Sequence, residues 1–97
     1  MSTVEVEGIV PGGESGIHDE PHVRGRRVTV RFIRNQVEER GLEPATVANR
    51  HDLDVADVYA ALTYYHRNRG EMRAVEKRRA RLADEAAEAT TLTPPRT

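Results

Sequence analysis

Residues 44–65, PATVANRHDLDVADVYAALTYY, constrain the fold of this chain more than any other stretch. They place apolar side chains where two helices joined by a tight turn require them. Val47 and Ala48 share one face of the first helix, Leu53 falls in the turn, and Val58 and Leu62 point inward from the second. Such a helix-turn-helix is a common DNA-reading device in small proteins, and equally a scaffold element that touches no DNA. The first helix is predicted to start at Pro44, because proline suits the first helical position. The second starts after Asp54. Asp57 stands three residues on, in the partner position of a capping box, and Leu53 with Val58 can form a hydrophobic staple. Val55, Val58, Leu62 and Tyr65 make up its expected inward stripe, and Gly70 its expected end.

Upstream, Val4-Glu5-Val6-Glu7 alternates as a short strand does, and Pro11-Gly12-Gly13 breaks it. A second extended stretch covers residues 17–30, with a turn at Arg24-Gly25-Arg26 and β-branched Val28-Thr29-Val30 favouring a strand. From there Val30, Ile33 and Val37 recur at helical spacing, and Gly41 follows Arg40 as a C-terminal cap. Residues 71–89 are rich in good helix formers, with Met72, Val75, Leu82 and Ala86 on a thin stripe that Arg79 interrupts. The fold class expected is α+β, mostly α. Residues 1–16 form an N-terminal strand or arm, 17–70 a hairpin plus helix-turn-helix bundle, 71–89 a C-terminal helix, and 90–97 a disordered tail.

A chain of 97 residues, 37% hydrophobic with three tyrosines and one phenylalanine, can build only one small core, so a homodimer is expected. The net charge of −1 says little, but its distribution is uneven. Residues 1–20 carry Glu5, Glu7, Glu14, Asp19 and Glu20 and no Lys or Arg; residues 24–34 carry five arginines and no acid. That asymmetry points to an interaction surface. With no cysteine, disulfides and thiolate metal sites are excluded. The start of the chain lacks a basic region followed by an apolar run, and no segment reaches the ~20 apolar residues of a membrane span; a cytoplasmic protein is expected.

Three segments carry a family pattern. Ile17-His18-Asp19-Glu20-Pro21 forms its opening, Val23-Arg24-Gly25-Arg26-Arg27-Val28-Thr29-Val30 its core, and Ala61-Leu62 followed by Tyr64-Tyr65 its close. In these the chain resembles domain-of-unknown-function family 433, a group of small VapB-like antitoxin candidates. Arg26 stands where that family prefers threonine. The resemblance implies a short β-hairpin followed by a homeodomain-like three-helix bundle. It also implies an antitoxin role beside a PIN-domain ribonuclease toxin.

The candidate site residues fall into two groups. In a strand, Arg27, Thr29 and Arg31 would share a face able to dock on phosphates, with Arg24 and Arg26 reaching out from the turn and Arg34 following. Pairing of these arginines with the acidic N-terminal segment is the other reading. On the second helix of the helix-turn-helix, Asp54 and Asp57 occupy the turn that would enter a groove, and only Thr63, His66, Arg67 and Arg69 suit DNA. On the C-terminal helix, Met72, Val75 and Leu82 could anchor in a partner's groove, with Arg73, Arg78, Arg79 or Arg81 directed at an acidic metal-binding pocket. A solvated helix is the alternative. The four histidines match no metal-binding spacing, no catalytic constellation or cofactor motif is visible, and Tyr59, Tyr64 and Tyr65 read as core or dimer-interface residues. The function expected is inhibition of a ribonuclease by direct binding, with autorepression by the complex. A stand-alone dimeric DNA-binding regulator and a protein-binding adaptor are the alternatives.

Overall fold

A computed structural model describes residues 3–12 and 20–92, with side chains of the last helix described as far as Glu88. The expected opening of the family pattern at residues 17–19 and the last residues of the expected tail, 93–97, lie outside these. Two short strands, β1 (Ile9–Val10) and β2 (His22–Val23), pair antiparallel, with Ile9 opposite Val23 and Val10 opposite His22. Four helices follow: α1 (Val30–Arg34), α2 (Pro44–Arg50), α3 (Val55–Arg67) and α4 (Arg69–Leu92). The expected α+β, mostly helical class is what the chain adopts.

The strand lies further along than the alternation at residues 4–7 suggests. Both backbone groups of Val4 are occupied by one side chain: the Val4 amide donates to Asn68 Oδ1 at 2.7 Å, and Asn68 Nδ2 donates to the Val4 carbonyl at 2.9 Å. Val4 is thus pinned to the end of α3, and pairing begins only after the turn at Gly8, whose φ of 89° suits glycine. The predicted strand at residues 28–30 shrinks to one bridge, Thr29 with His22, because Thr29 instead caps α1. Its side-chain oxygen accepts from the Phe32 amide at 3.1 Å.

Helix α1 runs into a π-helical turn, Asn35–Glu39, and stops at Gly41 with a φ of 75°. The wider turn shifts the inward register, so Gln36 is buried while Val37 is only half-buried. Helix α2 starts at Pro44, as expected, and α3 carries the Asp54–Asp57 capping box, with the Asp54 amide 3.3 Å from Asp57 Oδ2. The inward face of α3 is Val58, Ala61, Tyr64 and Tyr65. Val55, expected on that face, is 43% exposed, because the core-facing arc is centred on the later residues.

Asn68, not Gly70, separates α3 from α4. Its amide bonds the Tyr64 carbonyl at 3.0 Å and its own carbonyl accepts from Met72 at 3.0 Å, so one residue closes a helix and opens the next. Gly70 lies inside α4, and residues 90–92, expected in the tail, are helical. The first turns of α4 dock on the body. Met72 and Val75 are buried, Tyr64 Oη donates to Glu71 Oε1 at 2.6 Å, and Tyr65 Oη donates to Glu76 Oε2 at 3.3 Å. Replacing Met72 by alanine is therefore expected to lower stability by about 2–4 kcal/mol in urea denaturation, with Leu82→Ala within about 0.5 kcal/mol of wild type.

Candidate interaction surfaces

The arginine-rich segment is not a ribbon. Arg31 sits on α1, and its Nε donates to Glu20 Oε1 at 3.2 Å. Arg79 from α4 approaches the other oxygen of the same carboxylate, Nε to Oε2, at 3.0 Å. Glu20 is 1% exposed, so a fully buried negative charge is met by two cations from different helices. A lone buried carboxylate would be severely penalised, and two partly exposed guanidiniums offset that penalty. This bond ties the N-terminal segment, α1 and α4 together. Glu20 belongs to the acidic N-terminal segment and to the opening of the family pattern, but no local pattern in the sequence marks it as buried.

Arg26 is also internal. Its Nη1 and Nη2 donate to the carbonyls of Asp52 and His51 at 2.7 and 2.8 Å, clamping the hairpin turn onto the C-terminal end of α2, where the helix dipole favours a cation. Arg34 bonds Glu38 at 3.2 Å and Glu39 at 3.0 Å, and lies 4.9 Å from the centre of the Tyr65 ring. Of the expected nucleic-acid contacts, Arg26, Arg31 and Arg34 thus hold the fold. The Arg24 side chain makes a long 4.0 Å contact with Glu7, both side chains being exposed. Arg24, Arg27, Thr63 and Arg67 are exposed. The reading in which the arginines pair with the acidic N-terminal segment describes Arg31, through Glu20; Arg34 pairs with Glu38 and Glu39 instead, and the shared strand face of Arg27, Thr29 and Arg31 does not form.

Some of these residues meet in shallow grooves. Arg27, Arg31 and Arg79 line one of about 350 Å³ beside Phe32 and His51, whose rings make an edge-on contact at 4.9 Å. Thr63 and Arg67 line another of about 390 Å³, on α3, with Tyr59, Leu62 and His66.

Glu38 links the π turn to α3 through His66 Nε2 at 2.7 Å. Partial burial works against its charge, but the hydrogen bond and charge of His66, and then those of Arg34, outweigh it and hold the carboxyl below its usual range.

The expected partner-binding residues divide sharply. Met72 and Val75 belong to the protein's own core and offer a partner no surface; this corrects their reading as anchors. Arg79 is held by Glu20, and Arg78 is half-buried. Past Arg79 every described side chain of α4, to Glu88, is exposed, and Leu82 is 45% exposed. Arg73, Lys77 and Arg81 repeat every four residues along an exposed face. Among the described residues, no helix is long and apolar enough to cross a membrane.

The model of a family described as "Protein of unknown function (DUF433)" matches residues 17–65, the segment from before β2 to the inner face of α3. Comparison with curated proteins and with solved structures gave no match.

The Glu20 pairing has a measurable signature. Arg31→Ala and Arg79→Ala should each cost about 1 kcal/mol, since one guanidinium remains. The double variant should lose more than the sum, because it strands the carboxylate; thermal or urea unfolding of the four proteins measures this coupling. The Glu38 pair has a pH signature. A carboxyl whose pKa is depressed by folding stabilises the fold above its ordinary pKa, and that gain disappears as pH falls through the lower, folded value. Unfolding curves from about pH 7 to about pH 3 should therefore fall less steeply on the acid side for Glu38→Gln than for wild type.

Proposed function

The chain belongs to the DUF433 family, and from that premise we propose that it is an antitoxin-like protein that binds and inhibits a PIN-domain ribonuclease through the distal half of α4. The observation that carries this reading is the length of α4 beyond the body. The helix continues past its last contact with Glu20 at Arg79, with every described side chain as far as Glu88 exposed. An isolated helix of that length is marginal in water, since helices shorter than ~12–15 residues gain little from propensity alone. Good helix formers in a segment that adds nothing to its own core suit an element that docks in another protein's groove.

Leu82 is the apolar anchor in this scheme, with Ala86 one turn further on the same stripe. Arg81, the cation beside Leu82 in this distal segment, would face the acidic, metal-binding pocket of the ribonuclease. Inhibition then amounts to occlusion: a cationic side chain competes with the metal, and the helix covers the approach of RNA. Autorepression by the complex belongs to the same proposal, with Arg24 and Arg67 as exposed cations that could meet phosphates. A stand-alone DNA-binding regulator has less support, because Arg26, Arg31 and Arg34 are held internally.

Co-expression with a PIN-type ribonuclease encoded beside it tests the reading. The full chain should co-purify with the enzyme and suppress RNA cleavage. A chain ending after Arg79 should fold but lose the enzyme, and Leu82→Asp should weaken binding by about tenfold or more. A truncated chain that still retains and inhibits the ribonuclease overturns the proposal.

A further inference from the structure

Helix α3 has a second apolar stripe flanking its buried face, with Leu62 reaching from it to the edge of the core. Val55, Tyr59, Leu62 and His66 follow one another at helical spacing, with Val55 43% and Tyr59 55% exposed and Leu62 half-buried. Among the large hydrophobic residues described, only four are strongly exposed, and two of them lie on this stripe. Thr63 and Arg67 border it, in the shallow depression they share with Tyr59, Leu62 and His66. We infer that this outer face of α3 is where a second copy of the chain packs, with the two α3 helices antiparallel across a two-fold axis.

Charge along the helix selects a second copy and sets its direction. The turn before α3 and its cap carry the exposed Asp52 and Asp54; the C-terminal end of α3 carries the exposed Arg67, with Arg69 opening α4. One end is acidic and the other cationic, so the face is complementary to itself when reversed. A two-fold axis through the middle of the stripe sets Tyr59 against Leu62 of the second copy and Val55 against its His66, and lays each acidic end beside a cationic one. The helix dipoles then oppose each other as well. A parallel arrangement would stack like charge on like charge. DNA is a poor occupant of this face, since apolar side chains fill its middle.

Tyr59 is the natural anchor, a large side chain with one apolar face and no role in the protein's own core. The interface is a single helix from each copy, smaller than a standard interface, so a dimer of micromolar affinity is expected. The inference concerns a different face from the one proposed for the ribonuclease and holds whether or not α4 binds that partner.

Sedimentation equilibrium on the full chain, at concentrations to about 100 µM, provides the test. Wild type should be dimeric at the top of that range. Tyr59→Asp should weaken the dimer by about thirtyfold or more while leaving the circular dichroism unchanged, and the melting temperature unchanged at concentrations where both chains are monomeric. Arg67→Asp should weaken it at low salt, because it sets acid against acid in the antiparallel arrangement and leaves a parallel one untouched. The absence of cysteine allows a direct check. A Thr63→Cys chain should be joined to its copy by a short bis-maleimide, and an Arg73→Cys chain, with its thiol on α4, should not. A monomeric wild type, an unaffected Tyr59→Asp dimer, or equal cross-linking from both positions each overturns the inference; an Arg67→Asp dimer as tight as wild type overturns the antiparallel arrangement.

Discussion

Helix α3 is the surface on which the rest of the protein is assembled. Helices α1, α2 and α4 and both strands pack on it, and its buried side chains Val58, Ala61, Tyr64 and Tyr65 supply the middle of the core. A core built around one thirteen-residue helix is small, and burial alone gives such a domain little margin. The two tyrosines show how the chain responds. Each buries a ring and then uses its hydroxyl to fasten α4, Tyr64 to Glu71 and Tyr65 to Glu76. Apolar burial and a polar tether come from the same side chain.

Polar pins of this kind recur wherever the core is thin. Asn68 holds the N-terminal arm through both backbone groups of Val4, Arg26 holds the hairpin turn to the end of α2, and Glu20 gathers Arg31 and Arg79. Each joins segments far apart in sequence and satisfies groups that would otherwise be desolvated without a partner. The charge asymmetry between the acidic N-terminal segment and the arginine-rich stretch is in part the sequence trace of these pins. What reads as a cationic binding face is, at three of its arginines, the means of closing the fold.

The parts legible in the sequence were those fixed by local physics. Pro44, the Asp54–Asp57 box and Gly41 mark element boundaries by requirements of the backbone next to them, and the boundaries fall there. The misread parts depended on partners distant in the chain. Nothing near Asn68 signals that its side chain replaces a strand neighbour for Val4, so glycine two residues later looked like the better helix terminator. The π turn is equally silent, since Val37 fits an α-helical stripe and Gln36 does not. Val55 reads as inward in the sequence because alanine is a weak hydrophobic signal; with Ala61 and Tyr64 in the buried face, the core-facing arc lies away from it. On α4, periodicity grouped Met72, Val75 and Leu82 into one stripe, but only the first two are close enough to the body to be buried.

The strongest motif in the sequence and the weakness of its DNA signal have a common cause. A helix-turn-helix reads a groove with the first turn of its second helix. Here that turn is stabilised by a capping box, which requires acceptors at the cap and at the third helical position, and both are aspartates. The choice suits the helix dipole and sharpens the start of α3, on which all the packing depends. It also sets two carboxylates where a phosphate backbone would have to pass. The same helix fills its outer stripe with valine, tyrosine and leucine, which offer no hydrogen bonds to base edges apart from the tyrosine hydroxyl. Thus the features that make α3 a firm scaffold also make its exposed face a poor reader of DNA, and the departing end of α4 is the other exposed surface.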